Sequence, residues 1–517
     1  MSLPTSHVDD RLWTRRFGGL LAGLVLFRLG FGLLFSHRAD LLGDEAYYWD
    51  WGRQPDWGYF SKPPMIGWLM AVVGRLTGNA EWGIRLAPLI FGTATLAAAF
   101  ALARRLFGAR TACLAGLLLA LTPGNAGLNL FFTIDAPLLL AWSCGLLCAW
   151  LAIEQPSHPL PWVGLALALG FGVLSKQMML VFPVLLLLFV LVSPADRSLL
   201  RNPRLWLALL SGAACLAPVL DWNRRHHWIT VEHTKHHFDS ESLGFGDWLA
   251  RTLEFPAVQA LVYTPVTYAA LITVAWLGLR RWRALDRAER FLLTFSVPPL
   301  LGFLLLSLRQ HINPNWPAVF YLPLFLLGAA WLDGRLSGLP AARPGWRRAC
   351  LRSAAAITVV LHLALGAILL GALPAPGKIA ETQGWSETGR RAGAFLERVP
   401  RPQQTFVLVA GYRYDAAQLA FTLPQQPRVY RWSKSEGIDS QYEVWPGPEE
   451  RLGDDALILQ AGKATPRPLA ARLAGRFETV ESLGRVEVPL EGGLLRAFDV
   501  FLGHRLHAWP KPGGSGS

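Results

Sequence analysis

Apolar residues recur in long runs between positions 17 and 371. Several approach the roughly 20 residues that a bilayer span requires. They lie at 17–35, 84–103, 111–130, 136–153, 161–174, 178–193, 205–220, 257–279, 291–308, 316–333 and 353–372. This pattern predicts about 11 membrane-spanning helices, up to 13. The first run has no small-residue cleavage site soon after it, so it is expected to remain as a span. Within the long polar loop 36–83, residues 65–76 are apolar on one side and follow Pro63-Pro64, which suits a helix start. They predict an interfacial helix. Residues 44–51 predict a short amphipathic helix, with the Tyr and Trp that favour a membrane surface.

Beyond about residue 375 the pattern changes. Alternating segments at 405–410, 456–460 and 495–501 predict strands, and 416–421 and 468–473 predict helices. The division is a membrane domain over 1–374, with 36–83 as its first outer loop, then a small α/β domain outside the membrane over 375–512. The Gly-Gly-Ser-Gly-Ser of 513–517 reads as a linker remnant.

Only 16% of the 517 residues are charged and 52% are hydrophobic. A soluble domain carries about 25% charge, so a soluble or disordered chain is excluded. The net charge of +13 does not point to nucleic acid, because the basic residues punctuate the apolar runs. They set topology instead. Arg11, Arg15 and Arg16 place the N-terminus in the cytoplasm. Alternate loops then fall inside with Arg104, Arg105 and Arg110; Arg197, Arg201 and Arg204; Arg280, Arg281, Arg283, Arg287 and Arg290; and Arg343, Arg347, Arg348 and Arg352. The inside loop 154–161 lacks Lys and Arg. The C-terminal domain falls outside. The five cysteines lie in or beside apolar runs, and support neither a disulfide framework nor a zinc site.

This topology gathers the unusual polar residues on the outer face. Asp44-Glu45 follows the first span. A carboxylate pair there could serve as a general base or hold a cation, and acids are also common in a helix's first turn. Lys62, stiffened by the two following prolines, could present a charge to a phosphate; its plain reading is snorkelling toward headgroups. Asp135 opens a span, as a capping residue would. Lys176 interrupts an apolar stretch, where an ammonium is costly and calls for an anionic partner. Arg224 and Arg225, with His226 and His227, form a basic cluster against the positive-inside tendency. His233, His236 and His237 follow without a compact ligand set for a metal. His311, Asn313, Asn315 and Trp316 offer neutral donors and an aromatic wall, or merely a polar cap on a span. Carboxylates and cations on one face suit a reaction in which a lipid phosphate leaves and a hydroxyl attacks.

At these residues the chain resembles the bacterial members of glycosyltransferase family 39. These are GT-C enzymes related to protein O-mannosyltransferases and the lipid A aminoarabinose transferase. The resemblance rests on an ordered set across residues 17–335. It comprises Asp44-Glu45-Ala46-Tyr47-Tyr48-Trp49, Gly58-Tyr59-Phe60-Ser61-Lys62-Pro63-Pro64, Gly83-Ile84-Arg85-Leu86, Asp135-Ala136-Pro137-Leu138, Gly172-Val173-Leu174-Ser175-Lys176 and Asn315-Trp316-Pro317-Ala318. The tail stretches 411–419 and 440–445 share it less specifically.

The resemblance implies a GT-C fold in a bacterial inner membrane, with a periplasmic active site. It also implies a donor carrying one sugar on polyprenyl phosphate. Asp44, with Glu45 beside it, matches the catalytic acidic position, and Asp135 the second acid. Lys62 and Lys176 match the lysines that hold the lipid phosphate, with Arg224 and Arg225 as further candidates. Tyr48, Tyr59, His226, His311, Asn313 and Asn315 are the candidates for touching sugar or acceptor. The aminoarabinose transferase type has Glu, associated with a metal, where this chain has Ser61. The metal is therefore left unassigned: no cofactor is required by this reading, and a divalent cation stays open. The expected activity is inverting transfer to a periplasmic acceptor, first lipid A, lipopolysaccharide or another glycolipid or glycan, and alternatively protein Ser or Thr. A lipid-phosphate transporter would need polar residues on both faces. A non-catalytic assembly subunit would not need acids and phosphate cations together.

Overall fold

The computed structural model describes residues 7–35, 38–236, 244–435, 437–462, 465–490 and 495–509. His237 and the linker-like 513–517 lie outside these. The chain divides into two compact units. One takes in 1–32, 62–66 and 85–363, the other 33–61, 67–84 and 364–517. Most of the loop 36–83 thus groups with the C-terminal segment and not with the membrane helices, unlike a division at residue 374.

The first unit is helical. All eleven apolar runs fold as helix, but not as eleven equal spans. Among the described residues, six helices are long and apolar enough to cross a membrane: Asp9–Phe35, Glu81–Phe107, Asp135–Glu154, Pro203–Arg225, Arg287–Ser307 and Trp346–Leu369. Two pairs are bent, Ala109–Ala120 with Pro123–Leu130 by 69° and Phe245–Val262 with Pro265–Arg280 by 110°; counting each as one span raises the number to eight. Pro123 and Pro265 mark the breaks, because proline cannot donate to the preceding turn but fits a helix's first positions. The other runs fold as the shorter apolar helices Pro159–Ser175, Gln177–Val192 and Ala318–Leu332, below the roughly 20 residues of a straight span.

Helix Ala318–Leu332 is buried continuously from Val319 to Leu332, as expected of a helix apolar on every side. Around it, Trp142 meets Phe182 and Phe320 edge-on at centroid separations of 5.0 and 5.1 Å. The side chain of Asp333, just past this helix, is buried. It accepts from Thr111 and pairs with Arg110 and Arg347 at 3.1 and 3.2 Å. Asp196 is likewise buried and paired with Arg287. Some of the arginines read as topology signals are therefore also neutralised by buried acids.

The second unit holds a five-stranded sheet of β1 (Thr405–Ala410), β2 (Val429–Trp432), β3 (Asp455–Ala461), β4 (Phe477–Pro489) and β5 (Leu495–Leu506), in the order β2-β1-β3-β5-β4. β1 runs parallel to β2 and β3, whereas β5 is antiparallel to β3 and β4. β1 is buried along its whole length, which suits a central parallel strand covered on both faces. Helices Trp385–Leu396 and Arg413–Thr422 pack together where Gly389 permits close approach; a Cβ there would lie 2.5 Å from Thr422 O. The strands expected at 405–410, 456–460 and 495–501 are present. β2 and β4 were not foreseen.

Candidate active-site residues

In the membrane unit, three distant segments meet at Asp135. Helix Asp135–Glu154 begins with this residue. Helix Pro159–Ser175 ends at Ser175, and Lys176 is a single extended residue, φ −159° and ψ 140°, before the next helical turn. That break turns the ammonium away from the helix axis. Lys176 Nζ donates to Asp135 Oδ1 at 2.7 Å, and Asn315 Nδ2 donates to Oδ2 at 2.6 Å. Asn315 is supplied by the loop ahead of the buried helix Ala318–Leu332, and the preceding Pro314 O accepts from Gln259 Nε2 at 3.2 Å. Lys176 and Asp135 are both buried. A buried pair repays its desolvation only when its remaining hydrogen bonds are also made, and Asn315 makes one of them. Asn315 also lines a cavity of about 250 Å³ with Thr122, Asn125, Tyr263, Tyr321 and Phe325, and its walls are mostly apolar. Lys62, in the same unit, is half-buried.

Arg224 and Arg225 do not stand as open cations. Both pair with Asp221, one turn back on their own helix, at 2.8 Å. His226 is stacked on Trp222 at 4.0 Å, and its Nδ1 lies 2.8 Å from Trp222 O. His311 is exposed and 3.6 Å from Glu254. Asn313 is exposed.

In the second unit, helix Gly43–Arg53 carries the acidic pair in its first turn, where the helix dipole favours negative charge. The two acids do different things. Glu45 is fully buried and accepts from the Leu42 N–H at 2.9 Å, the plain helix-start role. Asp44 stays half-buried and accepts at Oδ1 from the Tyr414 hydroxyl at 2.6 Å. Burial pushes the Tyr414 phenol well above its ordinary value and the Asp44 carboxylate adds to this, with Arg413 opposing. Tyr414 therefore keeps its proton at neutral pH and donates it.

The rest of this helix is clamped by the tail. Gln418 Nε2 donates to Leu41 O, the Gln441 N–H donates to Tyr47 Oη at 2.6 Å, and Tyr442 Oη donates to Asp50 Oδ2 at 2.7 Å. The Phe60 N–H donates to Gln441 Oε1 at 2.6 Å. Burial raises the Asp50 carboxyl, against the pull of Arg53 and Tyr442. Beneath the clamp, the buried Arg431 binds Asp439, Ser440 and Glu443. Burial lifts Glu443 to about 7, although Arg431 pulls it down. Tyr48 and Tyr59, candidates for touching sugar, are core residues here. Tyr59 is fully buried, stacks on Trp51 at 4.4 Å and donates to Trp51 O at 3.1 Å. Tyr48 is buried against the same indole.

Tyr414, Gln418, Gln441 and Tyr442 were absent from the sequence candidates. The signal for them was the weaker resemblance over 411–419 and 440–445. Among the described residues, no three His, Cys, Asp or Glu side chains converge as a metal site would need.

The fold is that of the GT-C membrane glycosyltransferases. Over 93% of this chain and 98% of the other, it matches the crystal structure of ArnT from Cupriavidus metallidurans bound to undecaprenyl phosphate, with a TM-score of 0.62 at 18% identity. The apo ArnT structure superposes with a TM-score of 0.61 at 19% identity over the same shares of the two chains. Residues 61–222 match the family model described as dolichyl-phosphate-mannose-protein mannosyltransferase. The chain is also similar to the lipid A galacturonosyltransferase RgtD of Rhizobium johnstonii, 33% identical over 60% of this chain and 64% of that protein. A third relative is the undecaprenyl phosphate-alpha-4-amino-4-deoxy-L-arabinose arabinosyl transferase of Pseudomonas aeruginosa, 26% identical over 61% of this chain and 47% of that protein. The matched region thus spans less than two thirds of these curated relatives.

Proposed function

We propose that this protein is an inverting glycosyltransferase that moves one sugar from a polyprenyl-phosphate donor to a glycolipid acceptor on the periplasmic side of the inner membrane. The observation that carries this reading is the buried Lys176–Asp135 pair, bonded at its edge by the exposed Asn315. It holds the Lys176 side chain against a carboxylate in apolar surroundings, a place suited to meeting a lipid phosphate. The ArnT structure with the same fold is described as bound to undecaprenyl phosphate, which supports the donor class.

In this reading Asp44 takes the proton of the acceptor hydroxyl as its oxygen attacks the anomeric carbon. The bond from that carbon to the phosphate oxygen breaks, and its electron pair leaves on the phosphate. Lys62 and Lys176 stabilise the charge that develops there, and Asp135 fixes Lys176. Arg224 and Arg225 are secondary, being already paired with Asp221. Lipid A or the lipopolysaccharide core is the favoured acceptor, on the name of the Rhizobium relative. Protein Ser or Thr is the second reading, favoured by the description of the matched family model.

Mass spectrometry of envelope glycolipids and glycoproteins, from cells with the native chain and with Asp44→Asn, tests both. The expected result is loss of one sugar mass from a glycolipid. Loss from a peptide selects the second reading, identical profiles exclude Asp44 as the base, and profiles unchanged in cells that lack the chain overturn the transferase assignment.

A further inference from the structure

Tyr414 is not used by the chemistry above, yet it touches the carboxylate on which that chemistry turns. Its ring packs over Gly43, where a methyl group would lie 2.6 Å from Cγ and 2.7 Å from Cδ2. Its hydroxyl reaches Asp44 Oδ1 at 2.6 Å. The Arg413 guanidinium lies over the rings of Tyr414, Tyr412 and Tyr47, at 5.1, 4.9 and 5.8 Å from their centroids. Among the described residues, Tyr414 is the one side chain that hydrogen-bonds Asp44. Oδ2 is left for another partner.

We propose that Tyr414 is a positioning residue for sugar transfer: it holds Oδ1 of Asp44, so that Oδ2 is the oxygen presented to the acceptor hydroxyl. The inference rests on Asp44 being the base. A carboxylate on a single rotatable bond can turn either oxygen away, and small misplacements of a reacting group are costly. The proton of the acceptor passes to Oδ2 while Tyr414 keeps its own. Donating to the carboxylate fixes its direction, because the Gly43 contact leaves the ring little freedom to follow a turning carboxylate.

Tyr414→Phe keeps the ring over Gly43 and removes only the hydroxyl. It is expected to lower kcat about 10- to 100-fold, the range of one hydrogen bond to a charged group, with donor KM nearly unchanged. Gly43→Ala displaces the ring with its hydroxyl intact and is expected to show the same split between kcat and KM. A second measurement needs no sugar donor. A hydrophobic carbodiimide, which needs an uncovered carboxyl oxygen, is expected to label the Asp44 peptide several-fold faster in Tyr414→Phe, where no hydroxyl covers Oδ1, than in the native chain at one fixed pH.

A native kcat in the Phe variant overturns the positioning role, as does unchanged labelling. A native chain that transfers no sugar, while the Phe variant still labels faster, overturns the transferase reading and leaves the hold of Tyr414 on Asp44 standing.

Discussion

Lys176 Nζ lies 2.7 Å from Asp135 Oδ1, across 41 positions of sequence, with both side chains buried. Removing either charge alone strands the other in apolar surroundings, at a cost of about 3–5 kcal/mol. Asp135→Asn and Lys176→Met are each expected to lower the melting temperature in detergent, and the double variant to recover most of it. None of the three should support transfer if, as proposed, this ion pair presents the donor phosphate with a fixed cation. A double variant no more stable than the single ones would contradict the pairing.

Asp44→Asn is expected to cut transfer by about 10²- to 10⁴-fold, the usual loss when a general base is removed. The melting temperature should barely move, since the amide oxygen still accepts from Tyr414. Assay of sugar transfer beside a thermal melt separates the two, and a fully active variant excludes Asp44 as the base.

Lys62→Ala is expected to weaken donor binding about 10- to 100-fold, as loss of one hydrogen bond to a charged group does. Displacement of a labelled polyprenyl phosphate measures this directly. Equal affinity in the variant would remove Lys62 from the phosphate site.

Glu443 makes the clamp sensitive to pH. Burial raises its carboxyl from 4.5 to about 7, so the folded state holds the proton more tightly than the unfolded chain. Its favourable linkage is therefore complete below about pH 4.5 and is lost as pH rises through 7, on the order of 3 kcal/mol. Hydrogen exchange at the Gln441 and Tyr442 amides, corrected for intrinsic rates, should show protection falling across this window. Glu443→Gln should flatten the fall, and a native profile in that variant would show that another group governs it.

The helices were legible because apolar length is written directly in the chain, and Asp44, Lys62, Asp135 and Lys176 stood out as charges beside it. The bends at 120–123 and 262–265 were not, since a run of apolar residues reads the same whether its helix is straight or folded back. Glu45 and Asp44 looked alike as neighbours in sequence, and only the fold turns one toward Leu42 and the other toward Tyr414. Tyr48 and Tyr59 were candidates for touching sugar or acceptor, but both pack on Trp51 in the core. The unforeseen residues of the clamp are ordinary Tyr and Gln side chains, whose roles come from partners more than 370 positions away.

The 370 residues between Asp44 and Tyr414 also set a timetable for biogenesis. At roughly 5–20 residues per second of synthesis, the seat of Asp44 stays unfinished for about 20–70 s after that residue is made. If Asp44 is the base proposed above, a nascent chain carries it unaligned until Tyr414 has been translated and the tail has folded.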